Sequence, residues 1–203
     1  MLNNRIPKVI HYCWFGNNEK PEIILKCINS WKKFCPDYEI IEWNESNFDV
    51  NQNRFMKYAY EKKKWAFVSD VARLIVIYKY GGIYLDTDVE LNSNIDELLQ
   101  YDTFFAFESI RYIASGLGFG SIKESDILKK MIDTYNVATL DEDKLIPCPI
   151  YNTKVLKQYL PTLELNGKTQ VINDNMFLSM EAYSKYAKHL GAQSWIEGPK
   201  FEA

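Results

Sequence analysis

At 203 residues, with a formal net charge of −3, 47% hydrophobic residues and 25% charged ones, the chain has the composition of a folded domain with one sizeable core. The slight acidic excess excludes a general nucleic-acid binder, and no run approaches the ~18 uninterrupted apolar residues of a membrane span. Residues 1–8 hold no apolar signal-peptide core, and Cys13, Cys27, Cys35 and Cys148 lack metal or redox spacing, so buried free thiols in a reducing cytoplasm are expected.

The first predicted element is "KVIHYCWFG" (residues 8–16), nearly continuously apolar and closed by a Gly-Asn-Asn turn, as a parallel strand covered on both faces reads. From Pro21, Ile24, Cys27, Ile28, Trp31 and Phe34 recur at helical spacing, and Pro36 closes that helix. "YEIIEW" (residues 38–43) is a second strand, so the chain opens with a βαβ unit of a doubly wound sheet. Residues 54–64 and 66–80 read as two helices. The basic cluster Lys62, Lys63 and Lys64 reads as a solvated helix face, with peripheral contact to a membrane surface as the alternative. Gly81-Gly82 breaks the second helix, a strand is expected over Ile83 to Val89, and "DTFFAFES" (residues 102–109) reads as another. Ser121 and Glu124 are spaced as a capping box ahead of a helix over 126–137. Beyond Pro147 the expected elements are a helix near 153–159, a short strand around Val171, and loops ending in "HLGAQSW". No repeat or linker divides the chain, so residues 1–203 are expected to form one α/β domain.

The stretch "GGIYLDTDVEL" (residues 81–91) sets two carboxylates, Asp86 and Asp88, at the end of the most apolar strand. On a strand they share one face. Like charges that close repel, and burying either without a partner costs several kcal/mol. The pair therefore requires a cation, a set of donors, or open water. At the carboxyl end of a parallel sheet, two such carboxylates suit Mg²⁺ or Mn²⁺; the plainer alternative is a pair of solvated turn carboxylates. Upstream, Asp70 and Arg73 in "FVSDVARL" lie three apart on one helix face among apolar neighbours, which directs them to the interior or to a cleft. Of the two histidines, His11 inside the first strand reads as a core residue. His189, in a polar loop, is a candidate metal ligand beside Asp88. "GLGFGS" (residues 116–121) reads as a turn rather than a phosphate loop.

Taken together, "IPKVIHYCWFG", "SDVARLIVIYKYGGIYLDTDVEL" and the late "H…SW" resemble the DXD-containing sugar transferases of glycosyltransferase family 32, which include bacterial capsular-polysaccharide transferases and yeast mannosyltransferases. More distantly they resemble the catalytic domains of the large clostridial glucosylating toxins. The resemblance covers residues 6–110 and is thin beyond Pro147. It implies a GT-A-type, Rossmann-like fold with a mainly parallel central sheet flanked by helices. Residues 6–110 would bind the donor, and residues 111–203 would form the acceptor side and the closing segment. It further implies a metal-dependent retaining transferase that uses Mn²⁺ or Mg²⁺ and a nucleotide-sugar donor, a UDP-sugar ahead of a GDP-sugar. The implied acceptor is a glycan, a lipid-linked sugar or a protein, in bacterial surface-polysaccharide synthesis on the cytoplasmic side, at the inner face of the membrane.

Carried onto this chain, the resemblance gives Trp14 to the donor base, Asp70 and Arg73 to the donor sugar, Tyr84 to the donor-site wall, Asp86 to ribose and sugar, and Asp88 to the metal. His189, Ser194 and Trp195 would close over the diphosphate, with His189 or Ser194 reaching the metal. Where the family often shows two adjacent histidines, this chain has Lys188-His189. Two other functions compete. A haloacid-dehalogenase-type phosphatase also carries DxD at a strand end, but it wants Thr or Val where this chain has Glu90, and its nucleophile strand opens the domain. A non-catalytic sugar-nucleotide-binding module is the second.

Overall fold

The computed structural model describes residues 4–141 and 145–191. Strands β1 (Val9–Cys13) and β2 (Glu39–Trp43) pair in parallel across α1 (Glu22–Phe34), as the opening pattern requires. Asn53 caps α2 (Arg54–Glu61), its side-chain oxygen accepting from the N–H groups of Phe55 and Met56. That helix stops short of residue 64 because Lys63 turns the chain through a left-handed conformation, φ 56°. The next helix, α3 (Trp65–Tyr80), ends where Gly81 donates its N–H to Ile77 at a φ of 69°. Gly82 follows with φ 103°, and a Cβ on it would stand 2.7 Å from the Val9 carbonyl oxygen. Only glycine lets β3 (Gly82–Tyr84) come alongside β1 here.

The strand expected over Ile83 to Val89 does not run through. It ends at Tyr84, the chain turns with the Val89 N–H bonded to the Asp86 carbonyl, and β4 (Val89–Leu91) leaves the main sheet. Helix α1 holds β4 away: Trp31 Nε1 donates to the Val89 carbonyl at 2.7 Å, and the Leu91 N–H donates to Ser30 Oγ at 2.9 Å. Asp86 and Asp88 therefore belong to a turn, and strand alternation does not set their direction.

The chain continues through β5 (Thr103–Phe107), β6 (Ile113–Ala114), β7 (Phe119–Ser121), α4 (Asp126–Asn136), α5 (Cys148–Tyr159), β8 (Gln170–Ile172), β9 (Asn175–Leu178), α6 (Met180–Ser184) and β10 (Ala187–His189). The main sheet has the order β2-β1-β3-β7-β5-β9-β8, with β6 on β5. β1, β2, β3, β5 and β9 run one way, so the sheet is mostly parallel; β7 runs against its neighbours β3 and β5, β6 against β5 and β8 against β9. The expected capping box is not formed: Ser121 ends β7, Glu124 takes a φ of 58°, and Ser125 stands at the N-cap of α4. α5 begins at Cys148, ahead of the expected start near residue 153, because Pro147 and Pro149 suit a first turn whose N–H groups have no helical partner.

The sheet lies between two apolar layers. Cys13, Tyr84, Phe105, Phe107, Phe119 and Phe177 pack on one face against α2 to α5, while Ile10, Tyr12, Ile83, Phe104 and Leu178 pack on the other against α1. All four cysteines are buried and free.

His11 is a core residue. Trp43 Nε1 donates to its Nδ1 at 3.1 Å, which leaves the Nε2–H to donate to the Gly81 carbonyl at 3.0 Å. Burial drives its pKa down to about 4. Since the unfolded chain takes up the proton near pH 6.5, the stability that neutral His11 contributes is complete above that pH and is lost as pH falls towards 4. The urea-unfolding free energy of the wild type minus that of His11→Gln should therefore drop by about 3 kcal/mol between pH 7.5 and pH 4. A pH-independent difference would show that the imidazole is not buried neutral.

Candidate active site

A cleft of about 770 Å³ opens beyond the carboxyl ends of β1 and β3. It is lined by Trp14, Asp70, Arg73, Tyr84, Asp86, Asp88 and His189, so every predicted site residue within the described residues faces one cavity. Ser194 and Trp195 lie outside the described residues.

The site is built around Arg73. One nitrogen, Nη2, stands 3.1 Å from Asp70 Oδ1 and 3.1 Å from Asp86 Oδ1, and Nε donates to the Ser69 carbonyl at 3.0 Å. The guanidinium lies 4.9 Å over the Tyr84 ring. Only 3% of the side chain is exposed, and Nη1 is buried with no hydrogen-bond partner. The Asp70–Arg73 pair is thus an interior one, as its apolar neighbours require.

Asp86 and Asp88 reach the cleft from the turn after β3, and His189 reaches it from the other side of the chain. β10 pairs antiparallel with β4, setting His189 opposite Val89, and the Leu190 N–H donates to the Asp88 carbonyl at 2.9 Å. His189 Nε2 comes to 3.2 Å from Asp88 Oδ1. Ligand atoms of Asp86, Asp88 and His189 all fall within 4.8 Å of one another. His189 was expected in a loop. The hairpin-like pairing with β4, across nearly a hundred residues of sequence, is what delivers it to the carboxylates.

Charge in the cleft is out of balance. Asp70, Asp86 and Asp88, with Glu19 and Glu108 further along the lining, face one guanidinium and one imidazole. Burial pushes Asp86 up to about 6 against the pull of Arg73, with Asp88 adding to the rise. Burial also raises Asp70, again opposed by Arg73, while the Asp88 carboxylate bonded to His189 raises the imidazole. By formal count the acidic side chains of the cleft outnumber the basic ones, and each of these three shifts lessens that excess. Two carboxylate oxygens and an imidazole nitrogen within reach of one another suit a divalent cation of the Mg²⁺ or Mn²⁺ type.

Gly116 is a contributor that sequence spacing did not single out. A Cβ on it would stand 2.9 Å from Asp86 Oδ2 and 3.1 Å from Arg73 Nη1, so the backbone itself presses on the ion pair. The "GLGFGS" stretch, expected to be a turn, is one only over Gly116 to Gly118, with Gly116 and Leu117 in the cleft wall; Phe119 to Ser121 form β7. Cys148 lines the same wall at the start of α5.

Residues 21–105 match the family described as "Glycosyltransferase sugar-binding region containing DXD motif". The chain is 36% identical over 104 residues, 47% of its length, to inositol phosphoceramide mannosyltransferase 3 of Schizosaccharomyces pombe. It is 31% identical over 113 residues, 53% of its length, to the human alpha-1,4-N-acetylglucosaminyltransferase. The alignments cover 28% of each of these two relatives. Among solved structures, one described as PaToxG Glycosyltransferase superposes with a TM-score of 0.61 at 20% identity, covering 77% of this chain and 70% of that one. The fold is the GT-A arrangement of these glycosyltransferases.

Because Arg73 stands between the buried carboxylate of Asp70 and the half-buried one of Asp86, Arg73→Ala should lower unfolding free energy by about 3 kcal/mol, the cost of stranding buried charge. Urea titration at pH 7.5 measures it. A loss under ~1 kcal/mol would mean an exposed pair.

Proposed function

We propose that this chain, whose residues 21–105 match a DXD-type glycosyltransferase region, moves a sugar from a nucleoside-diphosphate sugar to an acceptor hydroxyl with retention at the anomeric carbon. The observation that carries the reading is the meeting of Asp86, Asp88 and His189 beside Arg73 in one cleft of nucleotide-sugar size. In the transfer, the acceptor oxygen bonds to the anomeric carbon, and the bond from that carbon to the diphosphate breaks. The diphosphate leaves with the electron pair, and the acceptor proton passes to it or to water. A divalent cation held by Asp88 and His189, with Asp86 beside it, would supply Lewis-acid stabilisation of the departing diphosphate, worth several kcal/mol.

Each side chain has a task in this reading. Trp14, anchored by its Nε1 bond to the Asn18 carbonyl at 2.7 Å, offers a half-buried ring to the donor base. Asp70 and Arg73, with the unpartnered Nη1, bind the hydroxyls of the donor sugar. Tyr84 holds the guanidinium flat, and Asp86 meets ribose and sugar. Ser194 and Trp195, outside the described residues, keep the diphosphate role that the resemblance implies, and the chain works as one transfer domain.

The relatives' names span mannosyl and N-acetylglucosaminyl transfer, which supports a hexose donor. We favour a UDP-sugar over a GDP-sugar, and Mn²⁺ or Mg²⁺ as the ion. The acceptor class is a glycan, a lipid-linked sugar or a protein, with surface-polysaccharide synthesis at the cytoplasmic face of a membrane as the setting. Among the described residues no helix is long and apolar enough to cross a membrane. A phosphatase reading has less support, because Glu90 points to Lys26 at 3.0 Å and offers no hydroxyl to a phosphate.

Calorimetric titration with UDP should show binding in Mn²⁺ and its loss in EDTA, since the carboxylates otherwise repel the diphosphate. Equal affinity in both conditions would remove the cation from the reading. Asp88→Ala should lower donor turnover at least roughly 10²-fold, or about 2.7 kcal/mol, without loss of fold stability. An inactive variant that is also unfolded, beside a stable metal-free wild type, would make Asp88 structural.

A further inference from the structure

The strip between β6 and β7 lies outside the stretch matched by the DXD family, yet Gly116 within it rests on both Asp86 and Arg73. Residues 115–118 have no partner in the ladders of β6 and β7, so something other than sheet pairing must fix them. Side chains from the C-terminal half hold this strip and the β6 strand that leads into it. On α5, Thr153 Oγ1 accepts from the Ile113 N–H at 2.9 Å, and Asn152 Nδ2 donates to Ser115 Oγ at 2.9 Å. From the other side the Tyr183 hydroxyl donates to the Leu117 carbonyl. All three side chains are buried, and none of them lines the cleft.

Fold stability alone does not account for this arrangement. Asn152 is fully buried and leaves its Oδ1 without a partner, a cost that an apolar side chain of similar size would not carry. What the amide does provide is a fixed position for Ser115, one residue before the glycine that meets the site. Helix α5 also carries Cys148 and Pro149 in the cleft wall, so one rigid element both borders the cavity and braces the strip.

We propose that Asn152, Thr153 and Tyr183 are positioning residues of the donor site, holding the 113–118 strip so that Gly116 keeps Asp86 and Arg73 in the geometry that a cation and donor require. The inference rests on the transfer reading above. The brace acts through Gly116, and its loss lets the Asp86 carboxylate rotate away from Asp88 and His189. Groups bonded directly to a metal ligand typically change metal affinity by 10–100-fold when removed, and this brace acts one contact further out, so the lower end of that range is expected.

The test measures Mn²⁺ affinity in the presence of UDP, by electron paramagnetic resonance of the free ion, on the full chain. Thr153→Val removes the acceptor of the Ile113 N–H at nearly constant shape, and Ser115→Ala removes the partner of Asn152. Both should raise the Mn²⁺ Kd about 10-fold or more at a temperature where circular dichroism shows a folded chain, while Thr153→Ser, which keeps the hydroxyl, should stay within about 2-fold of wild type. Donor hydrolysis should fall in kcat more than it rises in KM. Should Thr153→Val fail to fold, Ser115→Ala decides alone. Folded variants with wild-type Mn²⁺ affinity and kcat would overturn the inference and leave the transfer reading standing. A wild type that takes up no Mn²⁺ would overturn both, so the wild-type arm tells the two failures apart.

Discussion

Everything in this site turns on one buried guanidinium shared by two carboxylates. Arg73 meets Asp70 and Asp86 at 3.1 Å each, in surroundings where an unpaired charge costs several kcal/mol. That sharing explains why Asp70 sits three residues before Arg73 on α3, and why Tyr84 places its ring beneath the cation. It explains equally why the wall opposite has to be glycine. Asp88 is left outside this balance. It stands 3.2 Å from the His189 imidazole, and with Asp86 these groups can hold a cation. The clustered carboxylates of the cleft are the physical reason for expecting a cation there, and a diphosphate could enter only with that cation.

Much of this was legible in the sequence, and the limits have physical causes. The strand at residues 8–16, the helix from Pro21 and the strand at 38–43 declare themselves through period and turn residues, because each buries a continuous face of the sheet. Asp70 and Arg73 stood out because charged residues amid an apolar helix must either pair or line a cavity. The course of residues 83–91 was not legible as drawn. An unbroken β-like run hides a turn that is imposed from outside by Trp31 and Ser30. Propensity carries no trace of such a tertiary pull.

The C-terminal half was harder for a related reason. β8, β9 and β10 are three or four residues long, too short for a periodic signal, and β10 finds its partner in β4 almost a hundred residues earlier. The apparent capping box at Ser121 and Glu124 failed because both residues were already committed, one to β7 and the other to a left-handed turn. Gly116 escaped notice because a glycine's contact with an ion pair is visible only once both are in place. These late elements nonetheless matter to the chemistry. They bring the imidazole, the Gly116 wall and the helix that borders the cavity to the N-terminal half, which carries the carboxylates.

The central claim, that Asp86, Asp88 and His189 form a cation site completed by a diphosphate, is open to direct observation. Anomalous diffraction from crystals soaked in Mn²⁺ and UDP should give one strong peak within bonding distance of Asp88 and His189, shared with the diphosphate oxygens. UDP seated in the cleft with no peak at that cluster, or a peak elsewhere on the chain, would contradict it.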